Sequence, residues 1–407
     1  MRFAIRALVA GLAVLAVQTQ AQSLGETAFP ACLADLRVAA VEAGVRPALV
    51  DEVVPALEFQ ARVIELDRAQ PEFQQTFADY LGARVTTGRV ELGRLLLQRH
   101  RGLLDRLTLE FGVPGQYLVA LWGMESSFGR FTGTMPTLDS LATLACDPRR
   151  SDFFRTEFLT ALRLAERESI EPADFRGSWA GAVGQTQFMP SAFEQHAVDG
   201  DGDGRIDLWG SSADALASGA NHLRELGWRT GERWGREVRL PDGFDYTLSG
   251  AGQWRALSEW ARLGIRRADG APLPDVDMEA ALLVPMGRHG PPFLVYRNFE
   301  VLLRWNRSHH FALTTGYLAD RIAGGGALRA SMSEAEGALP VEELAALQQA
   351  LVRLGYDPGP IDGLLGPATR AALRRFQSDN DIIADGYPDA ATRGRVAALA
   401  AELEQNS

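Results

Sequence analysis

Two cysteines in 407 residues are too few for a disulfide-rich scaffold or a four-cysteine zinc site. Positive charge is also short. Lys and Arg total 41 against 52 Asp and Glu, a net charge of −11, and such a chain does not neutralise nucleic-acid phosphates in bulk. The six histidines show no metal-ligand spacing. No apolar run reaches the ~20 residues that a membrane-spanning helix needs, and no internal repeat of fixed period is expected. Apolar material is plentiful: 46% of residues are hydrophobic and 23% charged. That balance excludes global disorder, and the length suits roughly two to four domains.

The longest apolar run opens the chain. Arg2 and Arg6 precede Ala7 to Val17, and Thr19-Gln20-Ala21 places small residues where a signal peptidase cuts, so residues 1–21 are expected to be a signal peptide. Its removal leaves 39 basic residues against 52 acidic, a charge of −13. No cysteine follows the cut to carry a lipid, and no transmembrane segment is expected in the mature chain. Export places Cys32 and Cys146 in an oxidising compartment, where a disulfide and two buried thiols both remain open.

From about Phe29 to Leu109 the apolar spacing is helical: Leu33, Leu36 and Ala40, then Leu92, Leu96, Leu103 and Leu107. Over about 229–297 the texture turns to Gly, Pro and Trp with strand-like stretches at Val238–Leu240 and Ala281–Val284. Helical pattern returns at Phe299–Ile322. Residues 323–340 are rich in Gly, Ala and Ser and read as a flexible linker. A unit of about sixty residues follows at 341–400, with Leu344, Leu347, Leu351 and Leu354 on one helical stripe.

Two segments carry chemistry. Pro114 suits a helix start, and Leu118, Leu121 and Trp122 then share a stripe on which Glu125 also falls. A carboxyl held at a helix end against Leu and Trp resists ionisation, which is what a general acid needs. A terminal Glu that swings into solvent is the alternative. In the second segment, Gly177 to Ser191, small residues allow close backbone approach, while Ser178, Gln185 and Gln187 offer neutral donors and acceptors suited to sugar hydroxyls and amides.

The ordered runs GMESSFG, DPRRSDFF, GSWAGAVGQTQFMPS and NFEVLLRWNRSHHFA together resemble the B-type lytic murein transglycosylases, glycoside hydrolase family 103, over residues 29–322. The resemblance implies a mainly α (α+β) fold: a lysozyme-like catalytic core with a helical wrap and a small β-containing insertion. It implies Glu125 as the single catalytic acid/base, with Ser178, Gln187, Asn306, Arg149 and Arg150 on the substrate. Trp305 and Phe311 stand where the family usually has Tyr. With one carboxylate, the implied chemistry uses the substrate's own N-acetyl group and ends in a 1,6-anhydromuramyl product. A hydrolytic muramidase and a catalytically silent wall-binding protein are the competing readings. Residues 341–400 resemble the type 1 peptidoglycan-binding domain, a three-helix unit, through Asp362, Gly363, Gly366, Thr369, Phe376 and Gln377. The implied partners are peptidoglycan strands, with proteins of wall synthesis or hydrolysis beside them.

Asp199, Asp201, Asp203, the Arg205 carbonyl and Asp207 follow EF-hand order with Gly204 at the sixth position. Position 12 is Gly210, where the motif requires Glu, and Asp214 is the expected substitute. Structural Ca2+ at this 199–214 loop is expected, and no cofactor is expected for the chemistry itself. A solvated acidic turn is the alternative.

Overall fold

The computed structural model describes residues 26–69, 75–332 and 337–405, so the expected signal peptide and part of the expected linker lie outside the described residues. Helices dominate what is described. In chain order they are α1 (26–42), α2 (Pro47–Val53), α3 (Ala61–Ala69), α4 (Phe77–Arg84), α5 (Thr87–Arg99), α6 (Arg101–Phe111), α7 (Gly115–Ser126), α8 (Thr137–Ala145), α9 (Ser151–Arg167), α10 (Pro190–His196) and α11 (Ser212–Glu225). Six more follow: α12 (Leu257–Arg262), α13 (Arg297–Trp305), α14 (His309–Ile322), α15 (Val341–Arg353), α16 (Pro367–Asp379) and α17 (Ala390–Gln405). Two short strands, β1 (Met135–Pro136) and β2 (Arg176–Gly177), pair antiparallel. Five others, β3 (Gly235–Arg239), β4 (Arg255–Ala256), β5 (Arg266–Arg267), β6 (Glu279–Leu283) and β7 (Phe293–Val295), form one antiparallel sheet in the order β4-β6-β7-β3-β5. That sheet occupies the stretch whose texture changed.

Chain contacts divide the protein into two units, one of residues 1–70 and 121–222, the other of 71–120 and 223–407. The first is built on α8 and α9. All of α8 but Asp139 is buried, and α9 turns Phe154, Phe158, Ala161, Leu162 and Ala165 inward at helical spacing. A disulfide joins Cys32 in α1 to Cys146 at the end of α8, with Cα atoms 5.9 Å apart. This settles the question the sequence left open.

In the second unit, Val238, Leu257, Trp260, Leu282, Leu294 and Tyr296 form the core of the sheet region. Alternation along its strands supplies that core: Leu282 and Leu294 sit in register on neighbouring strands. The C-terminal helices α15, α16 and α17 pack around Leu351, Leu373 and Phe376, the three-helix unit expected. It docks on the sheet region: Arg288 N–H donates to Asp385 Oδ2 at 3.0 Å, and Arg370 Nη2 donates to the Pro285 carbonyl at 2.9 Å. The expected flexible linker is pinned in its described part. Arg329 N–H and Ala330 N–H donate to the Glu237 carboxylate at 2.8–3.0 Å.

An internal repeat is present after all, inside this helical unit. Asp362 to Arg370 reads DGLLGPATR and Asp385 to Arg393 reads DGYPDAATR. Gly363 and Gly386 take left-handed φ values of 71° and 73°, and a buried glutamine serves each copy. Gln348 Nε2 donates to Asp362 Oδ1 and Thr369 Oγ1, while Gln377 Nε2 donates to Asp385 Oδ1 and Thr392 Oγ1. With a single pair of copies and many differing residues between the fixed positions, periodicity alone did not expose it.

His309 and His310 open α14 behind the cap Ser308, whose Oγ accepts the Phe311 N–H. Burial, with Arg370 nearby, holds them down at about 4 and about 3. Both are neutral in the folded protein, whereas an unfolded histidine binds its proton near pH 6.5. Their contribution to stability is present above that pH and is lost as pH falls from about 6.5 toward 4. The thermal midpoint is expected to drop across that window, less steeply in His310→Gln; parallel profiles for the two proteins would contradict this.

Candidate active site

α7 places Glu125 one residue from its end. The expected apolar stripe is part of something larger: every residue from Tyr117 to Gly123 is buried, so the helix lacks a polar face. Glu125 is half-buried because it sits where this enclosed helix stops. The stop is made by backbone. Ser127, Phe128 and Gly129 are consecutive left-handed residues with φ of 50°, 63° and 80°. Non-glycine residues in such conformations cost on the order of 1–3 kcal/mol each and persist where surroundings hold them. The turn returns Phe128 N–H to the Trp122 carbonyl at 3.0 Å and lays the Phe128 ring over Gly123, where any Cβ would lie 2.8 Å from ring carbons.

A second segment clamps that turn. Ser126, 1% exposed, donates its hydroxyl to the Gln185 carbonyl at 2.6 Å and accepts Gly129 N–H at 2.9 Å. Trp122 Nε1 donates to Gln185 Oε1 at 2.9 Å. Gln185 in turn donates from Nε2 to the Trp209 carbonyl and from its backbone to Leu208, at 2.9 and 2.8 Å. One buried amide therefore ties the end of α7 to the acidic loop before α11. The sequence did not single out Gln185 from its polar neighbours; the signal was its position among glycines, at Gly184, where a Cβ would lie 2.6 Å from Leu208 Cβ.

Gln187, itself left-handed at φ 50°, donates Nε2 to the Thr132 and Gly184 carbonyls at 3.0 and 2.9 Å. Ser178 Oγ accepts the Ala182 N–H at 3.0 Å. Both side chains thus shape the Gly-rich loop, and β2 aligns that loop with the chain leaving α7 through Met135 and Gly177. Ser178 and Gln187 therefore belong to one hydrogen-bonded loop, tied to the chain that follows Glu125 through Gln185 and Thr132. Arg149 and Arg150 lie elsewhere in the same unit, where both guanidiniums pair with Asp67, a carboxylate 3% exposed. Sequence reasoning missed Asp67. It missed Glu157 too, which takes Ser191 N–H at 2.9 Å and Ser191 Oγ at 2.6 Å; its spacing from Phe154 and Phe158 on α9 was the available clue. Asn306 belongs to the second unit. It ends α13, donates N–H to the Leu302 carbonyl at 3.1 Å and accepts the Ser308 N–H at 2.8 Å.

In the acidic loop, oxygens of Asp199, Asp201 and Asp203 lie within 4.8 Å of one another. Gly204 and Gly202 N–H groups bond to Asp199 and hold its carboxyl below the usual range. Hard carboxylate donors at this spacing fit Ca2+. Asp214, 1% exposed, stands apart from the cluster: its two oxygens accept Gly200 N–H at 2.8 Å and Asp207 N–H at 2.7 Å, bracing both sides of the loop.

The family model for the transglycosylase SLT domain matches residues 28–320. The chain belongs to this family. A peptidoglycan binding domain model matches residues 340–396 of the same SLT-family chain. Membrane-bound lytic murein transglycosylase B of Escherichia coli K12 is 33% identical over 245 residues, which are 59% of this chain and 65% of that protein, so the alignment spans just under two thirds of that relative. SltB3 of Pseudomonas aeruginosa, solved with NAG-anhNAM-pentapeptide, matches at 39% identity and TM-score 0.86 over 91% of this chain and 99% of its own. Escherichia coli Slt35, solved with calcium, matches at 29% identity and TM-score 0.62 over 72% of this chain and 92% of its own. The SLT-family core is the lysozyme-like, mainly helical fold expected, with small sheets and the C-terminal helical domain.

Proposed function

We propose that this chain is a periplasmic lytic transglycosylase, cleaving the β-1,4 bond between N-acetylmuramic acid and N-acetylglucosamine without consuming water. The observation that carries the reading is the setting of Glu125. It is the only carboxyl in either of the two joined segments, residues 115–133 and 176–191. Three buried or half-buried acids of the same unit serve its framework: Asp67 pairs with two arginines, Glu157 accepts from Ser191, and Asp139 accepts the Glu58 N–H at 2.7 Å.

One carboxyl must then act twice. Protonated Glu125 donates to the glycosidic oxygen as the C1–O bond breaks, and the N-acetyl oxygen of the muramyl residue supports the positive charge at C1. The Glu125 carboxylate next takes the proton from the muramyl C6 hydroxyl as that oxygen bonds to C1, giving the 1,6-anhydro end and restoring the acid. Ser178 and Gln187 line the sugar path beside Glu125, with Asn306, Arg149 and Arg150 as further glycan contacts. Mass spectrometry of products from purified sacculi tests this: muramyl ends lighter by one water support it, and reducing ends would mean a muramidase.

Calcium is proposed as a structural ion held by Asp199, Asp201, Asp203 and the Arg205 carbonyl, with Asp214 holding the loop. An ion that binds only the folded state at 100 times its Kd stabilises by about 2.7 kcal/mol. The thermal midpoint is expected to rise in calcium relative to chelator and to lose that rise in Asp201→Asn. Superimposable melts would remove the site.

A further inference from the structure

A cavity of about 680 Å³ lies between the C-terminal helices and the sheet region, lined wholly by residues of the second unit. Its volume is that of small-ligand sites, roughly 300–1,000 Å³. Its charge is lopsided. In a chain of net charge −11, the lining carries Arg307, Arg370, Arg374 and Arg393 against a single carboxylate, Asp362. Asp362 Oδ1 already accepts from Gln348 and from the Leu364 N–H, so it is fixed in the repeat. The two copies of the repeat end in Arg370 and Arg393, and the duplication delivers both to one cavity.

Arg370 is the sharpest feature. Nη2 is spent on the Pro285 carbonyl, while Nη1 is buried without a hydrogen-bond partner among the described residues. Burial and the neighbouring Arg374 lower its pKa to about 10. A buried guanidinium N–H left unmatched is costly, and an oxygen anion supplies the acceptor it lacks through a charge-assisted bond. His309 and His310, neutral here, complete the polar side. The remaining wall, with Phe77, is largely apolar and accepts small alkyl side chains.

We propose that this cavity binds the free carboxylates of peptidoglycan stem peptides, so that the C-terminal domain reads the peptide while Glu125 acts on the glycan. The substrate class rests on the function proposed above; the anion site rests on the cavity alone. The test titrates the full-length protein with a synthetic stem pentapeptide as free acid, with its fully amidated form, and with inorganic phosphate. Peptide-stripped glycan serves as the cleavage control. The free acid is expected to bind, with about tenfold or greater loss on amidation and in Arg370→Gln, the scale of one charge-assisted pair. Arg374→Gln serves as the second variant should Arg370→Gln melt early. Both variants are expected to cleave peptide-stripped glycan at the wild-type rate. Equal binding of acid and amide, or unchanged binding in both variants, overturns the proposal. Phosphate displacing the peptide at equal concentration overturns the peptide assignment in favour of a general anion site. Failure of wild type to cleave stripped glycan would instead overturn the transglycosylase reading.

Discussion

Glu125→Gln is expected to abolish turnover of purified sacculi, a loss of about 10³-fold or more, and to leave glycan binding intact. The amide has the shape of the carboxyl and can neither give up nor accept the travelling proton. General acid and general base assistance are each worth about 10²–10⁴ in rate, and here one side chain performs both. The substitution is expected to leave the local architecture standing, because Ser126, Trp122 and Gln185 hold the turn after α7. Circular dichroism and a melt of the variant should therefore match wild type. Release of anhydro-muropeptides at more than a small fraction of the wild-type rate would end the assignment. Loss of glycan binding together with activity would place Glu125 in recognition and not in chemistry.

Replacing Cys32 and Cys146 together by serine should produce the largest loss of stability. The bond closes a segment of 114 residues between α1 and the end of α8. Constraining a loop of that order in the unfolded chain is worth about 4–5 kcal/mol in the chain-entropy model. At roughly 2–4 °C per kcal/mol for domains of this size, the thermal midpoint should fall by about 10 °C or more. Reductant should produce the same fall in wild type and none in the variant. The catalytic rate at low temperature should barely change, since neither cysteine lies in the segments 115–133 and 176–191 proposed to carry the site. A wild-type melt indifferent to reductant would mean that the bond is not formed in the native protein.

Much of the fold was legible because it rests on local periodicity. The strands at Gly235–Arg239 and Glu279–Leu283 fall where β-like stretches were read, and the C-terminal stripe of leucines does form a helix packed in a three-helix core. The catalytic candidate was legible by motif. The helix that carries it was read too narrowly: periodicity suggested one apolar face for α7, and the structure buries every residue from Tyr117 to Gly123. The arginine pair shows the same limit from the other side. The family resemblance implied substrate contacts for this pair, and it gave no sign of the intramolecular partner they share, Asp67, more than eighty positions away.

The order of the elements, the motif that presents Glu125 and the acidic loop are written locally in the chain, because each depends on residues a few positions apart. Which polar groups meet is set by packing. Gln185 joins Ser126 across 59 positions and Trp209 across 24, Cys32 meets Cys146, and Arg307, Arg370, Arg374 and Arg393 share one cavity. The physical reason is that a buried donor or acceptor must find a partner at about 3 Å. Which partner it finds depends on how closely glycine-bearing backbones approach, and that distance is a property of the packed chain.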